Sequence, residues 1–406
     1  MTTTRDVTIV GGGIIGLATA YALSVTKAGG PGNTRITLVE KESRWGRHQS
    51  GRNSGVIHSG LYYAPGSSKA RFARAGAEEM YEFCGHHGVP ARRTGKVVVA
   101  TEERELPALE ELARRGRANG VRVEELDATG LREHEPAVRG IRALHVPDAG
   151  ITDYGAVCTR LAELSQAAGV ELRTGTELVG SRVSGGELVL STTSGRIRTR
   201  RAINCAGLHS DRVARLAGGD PPVRILPFRG EYYENVAPNA PEVRTLVYPV
   251  PDPAFPFLGV HLTRMLDGSL HIGPNAVPAL AREGYRHRDC SLAQLREFAG
   301  YSGARALARR YWRVGAAELT RSLSTSLFAR AARKLVPGTR AADLRPAPAG
   351  VRAQALGPDG TLVDDFLVTS DAHWIHVLNA PSPAATASLV IGREIAARLA
   401  HHTEGG

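Results

Sequence analysis

The feature that most constrains this chain is Gly11-Gly12-Gly13-Ile14-Ile15-Gly16, a glycine run set between two segments of different period. Before it, Arg5 to Val10 reads as a short buried strand, with Val7, Ile9 and Val10 supplying β-branched bulk. After it, Leu17 to Leu23 has the apolar spacing of a helix. Gly11, Gly13 and Gly16 thus give G-x-G-x-x-G at a strand-to-helix junction. The first glycine permits the tight turn, the second lets a pyrophosphate approach the backbone, and the third packs helix on strand. The phosphates would rest on exposed amides of the helix start, Ile14 and Ile15 included. A second strand, Arg35 to Val39, ends in Glu40, an acid placed to accept from a ribose and to repel a 2′-phosphate. The connection, Ala28 to Thr34, is a loop of Gly, Pro and Asn. A ligand-free glycine turn would not need strand, glycines, helix, strand and terminal acid in that order.

Later segments separate FAD from NAD. Arg44 to Tyr63 is a polar loop punctuated by glycine where a nicotinamide domain proceeds to another strand–helix unit. Lys41, His48, Gln49, Ser50, Asn53, Ser54 and Gly55 are the cofactor candidates from Glu40 onward. Arg198 to Asn204 is an apolar-alternating strand running into Cys205-Ala206-Gly207 and a helix over Ser210 to Leu216. This strand-to-Ala206-Gly207 junction resembles the second pyrophosphate contact of two-dinucleotide-binding-domain flavoproteins. Near the end, a strand at Trp374 to Val377 meets the breaker Asn379-Ala380-Pro381-Ser382-Pro383, and a helix is predicted over Ala384 to Leu399. Asn379, Pro383 and Ala384 would aim that helix dipole at a flavin's N1–C2 region.

The rest of the composition narrows the partners. At 406 residues, with 42% hydrophobic and 22% charged residues, the chain has material for two domains and a walled cavity. The net charge is +11, yet lysine occurs at Lys27, Lys41, Lys69, Lys96 and Lys334 alone, so the charge is dispersed arginine. With 5% aromatics this does not suit nucleic acid, but it suits an anionic substrate or an anionic membrane face. No apolar stretch approaches the roughly 20 residues of a spanning helix, and the apolar start is too short for a signal peptide. Cys84, Cys158, Cys205 and Cys290 lie far apart, as expected in a reducing cytoplasm. No metal-ligand spacing and no Gly-x-Ser-x-Gly occur, so neither a metal site nor serine-hydrolase chemistry is expected.

With those segments in hand, the chain resembles the D-amino-acid-oxidase superfamily, and within it the L-2-hydroxyglutarate dehydrogenase/oxidase family. The resemblance covers essentially the whole length. It is carried by residues 48–63 (HQSGRNSGVIHSGLYY), 228–233 (FRGEYY), 259–264 (GVHLTR) and 273–277 (GPNAV), and by 282–286 (REGYR), 343–356 and 376–389. Ala281 stands where the family is expected to carry lysine. The resemblance implies an α/β fold: a Rossmann-like FAD-binding domain of the D-amino-acid-oxidase type with an inserted mixed-sheet substrate domain. Residues 1–85, 150–220 and 340–406 would form the first, and 86–149 and 221–339 the second. FAD is implied, with non-covalent attachment favoured over a covalent link at His48. The implied reaction is oxidation of (S)-2-hydroxyglutarate to 2-oxoglutarate, with oxygen or a quinone as acceptor. An amine or amino-acid oxidase of the same fold, or a flavin-binding protein without turnover, are the alternatives.

Such an oxidation needs a base, a carboxylate clamp and placement over the ring. Histidine suits the base because it titrates near neutrality. His261, in an alternating strand, is the first candidate, His58 in the flavin loop the second, and His376 the third. Arg345 resembles the arginine that holds the substrate carboxylate in glycine and D-amino-acid oxidases, and its planar fork suits that task. Arg229, Arg264 and Arg352 compete for a second carboxylate, with Tyr233 and Tyr62 as donors. Thr101 to Arg117 reads as a charged surface helix, Asp252 to Pro256 as a turn, and Leu292 to Arg313 as one or two helices. The basic stretch Arg321 to Lys334 is the candidate for a peripheral contact at the inner membrane face.

Overall fold

The computed structural model describes residues 4–25, 34–251 and 259–401. Most of the Ala28–Thr34 loop and the Asp252–Pro256 turn therefore lie outside the described residues.

The glycine junction forms as the period change dictates. Arg5–Val10 is a strand and Ile14–Val25 a helix, and the next strand is Ile36–Val39. Arg5–Val10 lies between Ile36–Val39 and Gly195–Asn204, parallel to both. Trp374–Asn379 adds parallel to the far end of Gly195–Asn204, and Glu171–Arg173 adds parallel to Ile36–Val39. An antiparallel hairpin, Leu178–Ser184 with Glu187–Thr192, and the Leu367–Ser370 strand complete this eight-stranded sheet. Its strands are apolar on both faces, as a covered parallel sheet requires. Val7, Ile9, Leu38, Ile203 and Ile375 pack with Leu17 and Ile391 of the flanking helices. Gly392 of the Ser388–His401 helix sits so close to Ala18 that a Cβ would lie 2.6 Å from its carbonyl.

Four parallel strands end on one rim. Val10 leads to Gly11, Val39 to Glu40, Asn204 to Cys205-Ala206, and Asn379 to Ala380. The crevice outside the carboxyl ends of such strands is where ligands bind in open α/β sheets.

A second sheet of nine strands faces that rim. From one edge its strands run 277–278, Arg224–Asn235, Leu270–Gly273, His261–Arg264, Leu246–Pro249, Lys96–Ala100, Arg142–Val146 and Glu124–Asp127. Leu344–Leu356 pairs antiparallel with Arg224–Asn235 along almost its whole length. Residues 344–356 thus belong to the second sheet, although the sequence reading grouped them with the dinucleotide portion. A three-stranded patch of 56–57, 91–92 and Gly150–Thr152 lies between the two sheets in sequence.

The charged surface helix is Leu106–Ala118, entered through a short turn and seated by Leu109, Leu112 and Ala113. Leu292 to Arg313 resolves into Leu292–Gly300 and the start of Ser302–Ser322. The C-terminal helix starts at Ser388 rather than Ala384, because residues 381–387 turn instead. The basic stretch proposed for a membrane does not fit that role. Thr325–Arg333 buries Phe328, Ala329 and Ala332 in the core under the second sheet, so its apolar face is already covered.

Candidate active site

A cavity of about 810 Å³ opens along the rim and reaches between the two sheets. Ligand cavities commonly span ~300–1,000 Å³, so this is a large one. Its first half is backbone and small side chains: Gly11, Gly13, Ile14, Ile15, Ala206 and Gly207. Gly11 has φ +113°, and a Cβ there would lie 2.5 Å from the Cys205 carbonyl oxygen. Gly16 does not line the cavity; its Cβ would strike the Gly11 carbonyl at 2.0 Å, which is the helix-on-strand packing its position calls for. Ser50 Oγ accepts from the Ile14 amide at 2.9 Å and so anchors the polar loop on the helix start. Glu40 is buried, accepting from the Gly12 amide at 2.6 Å and the Glu42 amide at 2.9 Å, and it also lines the cavity. A carboxylate has about four lone-pair sites, so capacity for a ribose hydroxyl remains.

The polar loop is tied down by its own side chains. Asn53 donates to the Gln49 and Ser50 carbonyls at 3.1 and 2.7 Å and accepts from Gly55 at 2.8 Å. Gln49 Oε1 accepts from the Ala353 amide at 2.8 Å, linking the loop to the second sheet. Ser54 lines the cavity, whereas Gly55, at φ +69°, makes a turn beneath it. Lys41 contacts Glu42 and lies 2.6 Å from Glu283. His48 holds Tyr285 at 2.6 Å through Nδ1 and Glu42 at 3.1 Å through Nε2. The His209 hydrogen bond holds the Glu283 carboxyl well below the usual range, with Lys41 adding to it against the cost of burial. Glu42, His48 and Glu283 come within metal-ligand spacing, but the Lys41 ammonium touches both carboxylates and supplies the cation.

The far end is aromatic and basic. Tyr62, Tyr63, Tyr232, Tyr248, His58, His261 and Arg352 line it. His261 is buried, and its Nδ1 lies 2.9 Å from the Gly259 carbonyl, which leaves Nε2 as the acceptor. Burial pulls this imidazole down to about 3, with Lys96 and Arg352 pushing the same way. His58 is also held well below its ordinary value, first by burial and then by Lys96, His261 and Arg352. Both rings are therefore neutral at pH 7. The His58 Nδ1, Tyr62 hydroxyl and Asn379 Oδ1 are buried and lack a hydrogen-bond partner. Buried polar atoms normally have one, so three orphans around one cavity mark it as shaped for a ligand. A long cavity with an acid at one end, open amides in the middle and orphaned polar atoms at the other end fits FAD.

A family model for FAD-dependent oxidoreductases matches residues 6–398. The chain belongs to the FAD-dependent oxidoreductase family. Within it, the chain is similar to several L-2-hydroxyglutarate dehydrogenases. The one from Indibacter alkaliphilus is 44% identical over 95% of this chain and 96% of its own length. The mitochondrial one from Homo sapiens is 40% identical over 97% and 88%. Among solved structures, the FAD-bound L-α-glycerophosphate oxidase of Mycoplasma pneumoniae superimposes with a TM-score of 0.80 at 25% identity, covering 98% of this chain and 95% of that one. The chain's cofactor is FAD.

Within this oxidoreductase cavity, the candidates divide sharply. His261, His58, Tyr62 and Arg352 come together at its far end, and Asn379, Pro383 and Ala384 also line the cavity. Of the catalytic and substrate-binding candidates, five do not reach it. Arg345 is exposed, bonds the Ala342 and Leu344 carbonyls at 3.0 and 3.1 Å, and pairs across the strand with Glu234. It lies at the start of the Leu344–Leu356 strand, seven residues and one bulge before Arg352, so the two reach different parts of the molecule. Arg229 is buried but spent on Glu231 at 2.8 Å and on His287 at 2.9 Å. Arg264 holds the Val243 and Gly268 carbonyls at 2.9 and 2.8 Å. Tyr233 packs on Phe328 in the second core. His376 points under the sheet, 3.1 Å from Asn204 and stacked on Trp374. One residue of this region went unread in the sequence. Lys96, heading the buried strand Lys96–Ala100, is 1% exposed and reaches behind the rings of Tyr62 and Tyr248. A lysine leading straight into Val-Val-Val-Ala was its sequence signal.

Proposed function

We propose that this protein oxidises (S)-2-hydroxyglutarate to 2-oxoglutarate. The observation that carries the reading is the far end of the FAD cavity. There an arginine and two neutral histidines face one space, in a chain 40–44% identical to L-2-hydroxyglutarate dehydrogenases. FAD, when bound, supplies the redox chemistry and takes the hydride equivalent from the hydroxyl-bearing carbon. The Gly11–Gly13 turn and the Ile15 amide would hold the pyrophosphate, with the Ile14 amide held by Ser50, Glu40 would hold the ribose, and residues 379–384 the flavin edge. His48 has both ring nitrogens engaged, which favours non-covalent attachment.

Arg352 is the proposed clamp for the carboxylate next to the reacting carbon, since its fork faces the cavity and Arg345 does not. Neutral His261, with Nε2 as its acceptor, is the proposed base for the hydroxyl proton, the two carboxylates of a bound substrate offsetting the pull of burial, Lys96 and Arg352 on it, and His58 is the group beside it that orients the hydroxyl. Burial of the two histidines, reinforced by Lys96 and Arg352, keeps them neutral.

Oxygen or a quinone remains the proposed acceptor, and hydrogen peroxide formation under air distinguishes them. Four unpaired cysteines suit a reducing cytoplasm. No helix among the described residues is long and apolar enough to cross a membrane. For peripheral contact with an anionic lipid face, the proposed element is Ser302–Ser322, where exposed Trp312 and Leu319 lie among arginines. The reading is tested by turnover of purified FAD-loaded protein with an artificial acceptor. 2-Oxoglutarate should form from the (S) enantiomer and not from the (R) enantiomer; oxidation of L-glutamate instead would move the protein to the amine-oxidising branch.

A further inference from the structure

A five-carbon dicarboxylate brings two negative charges into the cavity, and Arg352 accounts for one. The other arginines proposed for this task, Arg229, Arg264 and Arg345, are engaged elsewhere. The structure supplies a different cation. Lys96 is buried to 1% exposure, with its ammonium 4.2 Å from the centre of the Tyr248 ring and 4.9 Å from that of Tyr62. Both rings line the cavity. The strands flanking Lys96 place Val146 and Leu246 beside it, and among the described residues it has no carboxylate partner. A buried charge without an anion is costly, and two aromatic faces offset only part of that cost. The hydroxyl of Tyr62, one of these two rings, is itself buried and unpartnered.

We propose that Lys96 determines specificity for a dicarboxylate, its buried charge drawing the carboxylate remote from the reacting carbon to the Tyr62–Tyr248 wall, where the Tyr62 hydroxyl donates to it. Lys96 itself does not line the cavity, so it acts through these rings as a positioning residue. The inference rests on the 2-hydroxyglutarate reading and adds the recognition of the distal charge. Burial pulls the Lys96 ammonium down to about 7, so an anion across the wall favours its charged form. The same charge bears on His58 and His261, which ties distal recognition to the neutral state of the reacting end.

The test compares glutarate with pentanoate, equal in length and differing in the distal carboxylate, by titrating each into FAD-loaded protein and following the oxidised-flavin difference spectrum. Wild-type protein should bind glutarate more tightly. Lys96→Met should weaken glutarate on the order of 10- to 100-fold while pentanoate moves less than about 3-fold. Lys96→Arg should restore part of the glutarate affinity. Tyr62→Phe removes the hydroxyl without emptying the wall and should also weaken glutarate selectively, which keeps the proposal testable should Lys96→Met fold poorly. If Lys96→Met and Tyr62→Phe keep the wild-type preference, or lose both ligands equally, the proposal is overturned while the dicarboxylate reading stands. If wild-type protein shows no preference for glutarate, that reading falls and the Lys96 proposal with it.

Discussion

Two neighbouring glycines should fail in opposite ways when replaced by alanine. At Gly11, φ is +113° and a new Cβ would lie 2.5 Å from the Cys205 oxygen and 2.8 Å from its carbon. Both obstacles are backbone, so the strand end must move. A left-handed conformation costs about 1–2 kcal/mol and overpacking about 1–3 kcal/mol. Gly11→Ala should therefore destabilise the FAD-free protein by about 2–5 kcal/mol. At Gly13 the backbone is ordinary, and the nearest atom to a Cβ is Ser50 Oγ at 3.3 Å. The methyl would point into the cavity, where the pyrophosphate is placed. Gly13→Ala should leave the FAD-free protein within about 1 kcal/mol of wild type. It should forfeit one charge-assisted amide–phosphate hydrogen bond, worth about 1.5–3 kcal/mol. That corresponds to roughly a 10- to 150-fold rise in the Kd for FAD. Denaturant titration of FAD-free protein and quenching of flavin fluorescence measure the two effects separately. A Gly13→Ala protein that holds FAD as wild type does would refute the placement of the pyrophosphate on this turn.

Three further outcomes follow from the geometry. His261→Gln should lower kcat by about 10²–10⁴-fold with the bound flavin unchanged, as loss of a general base does; if His58→Gln alone has that effect, the base is His58. Asp211, fully buried, holds Arg282 at 2.6 and 2.9 Å, so Asp211→Ala should cost about 3–5 kcal/mol in chemical denaturation by leaving the guanidinium buried. Burial opposes the charge of Glu297, but Arg212, Arg215 and Arg282 pull its carboxyl down to about 2, below its unfolded value. Its contribution is thus present above the unfolded value near 4.5 and lost as pH falls toward 2. Glu297→Gln should flatten the fall in stability over that window, read from thermal midpoints against pH.

The dinucleotide half was legible because its signals are local. A glycine junction, a strand-terminal acid and a Pro-Ser-Pro break each act within a few residues, and the structure places all three on one rim. The second half was not, because a strand's alternation gives two faces without saying which one meets the cavity. Arg345 and Arg352 lie on one strand and look equivalent in sequence; Arg345 sits at its start opposite Glu234, away from the cavity, and Arg352 further along opposite Phe228, where it lines the cavity. Arg229 and Arg264 are excluded by partners far away in sequence, such as His287 for Arg229 and Val243 for Arg264. The amphipathic pattern of Thr325–Arg333 was real, but its apolar face meets the protein's own core. Lys96 escaped notice because burial of a lysine depends on the tyrosines folded over it.

The most direct test of the central claim is an anaerobic absorbance spectrum of the purified protein before and after addition of (S)-2-hydroxyglutarate. Bleaching of the flavin band at about 450 nm is the predicted result, because the site then delivers substrate electrons to FAD. An oxidised flavin that ignores this substrate would contradict the account, and a protein that carries no flavin would contradict it from Gly11 onward.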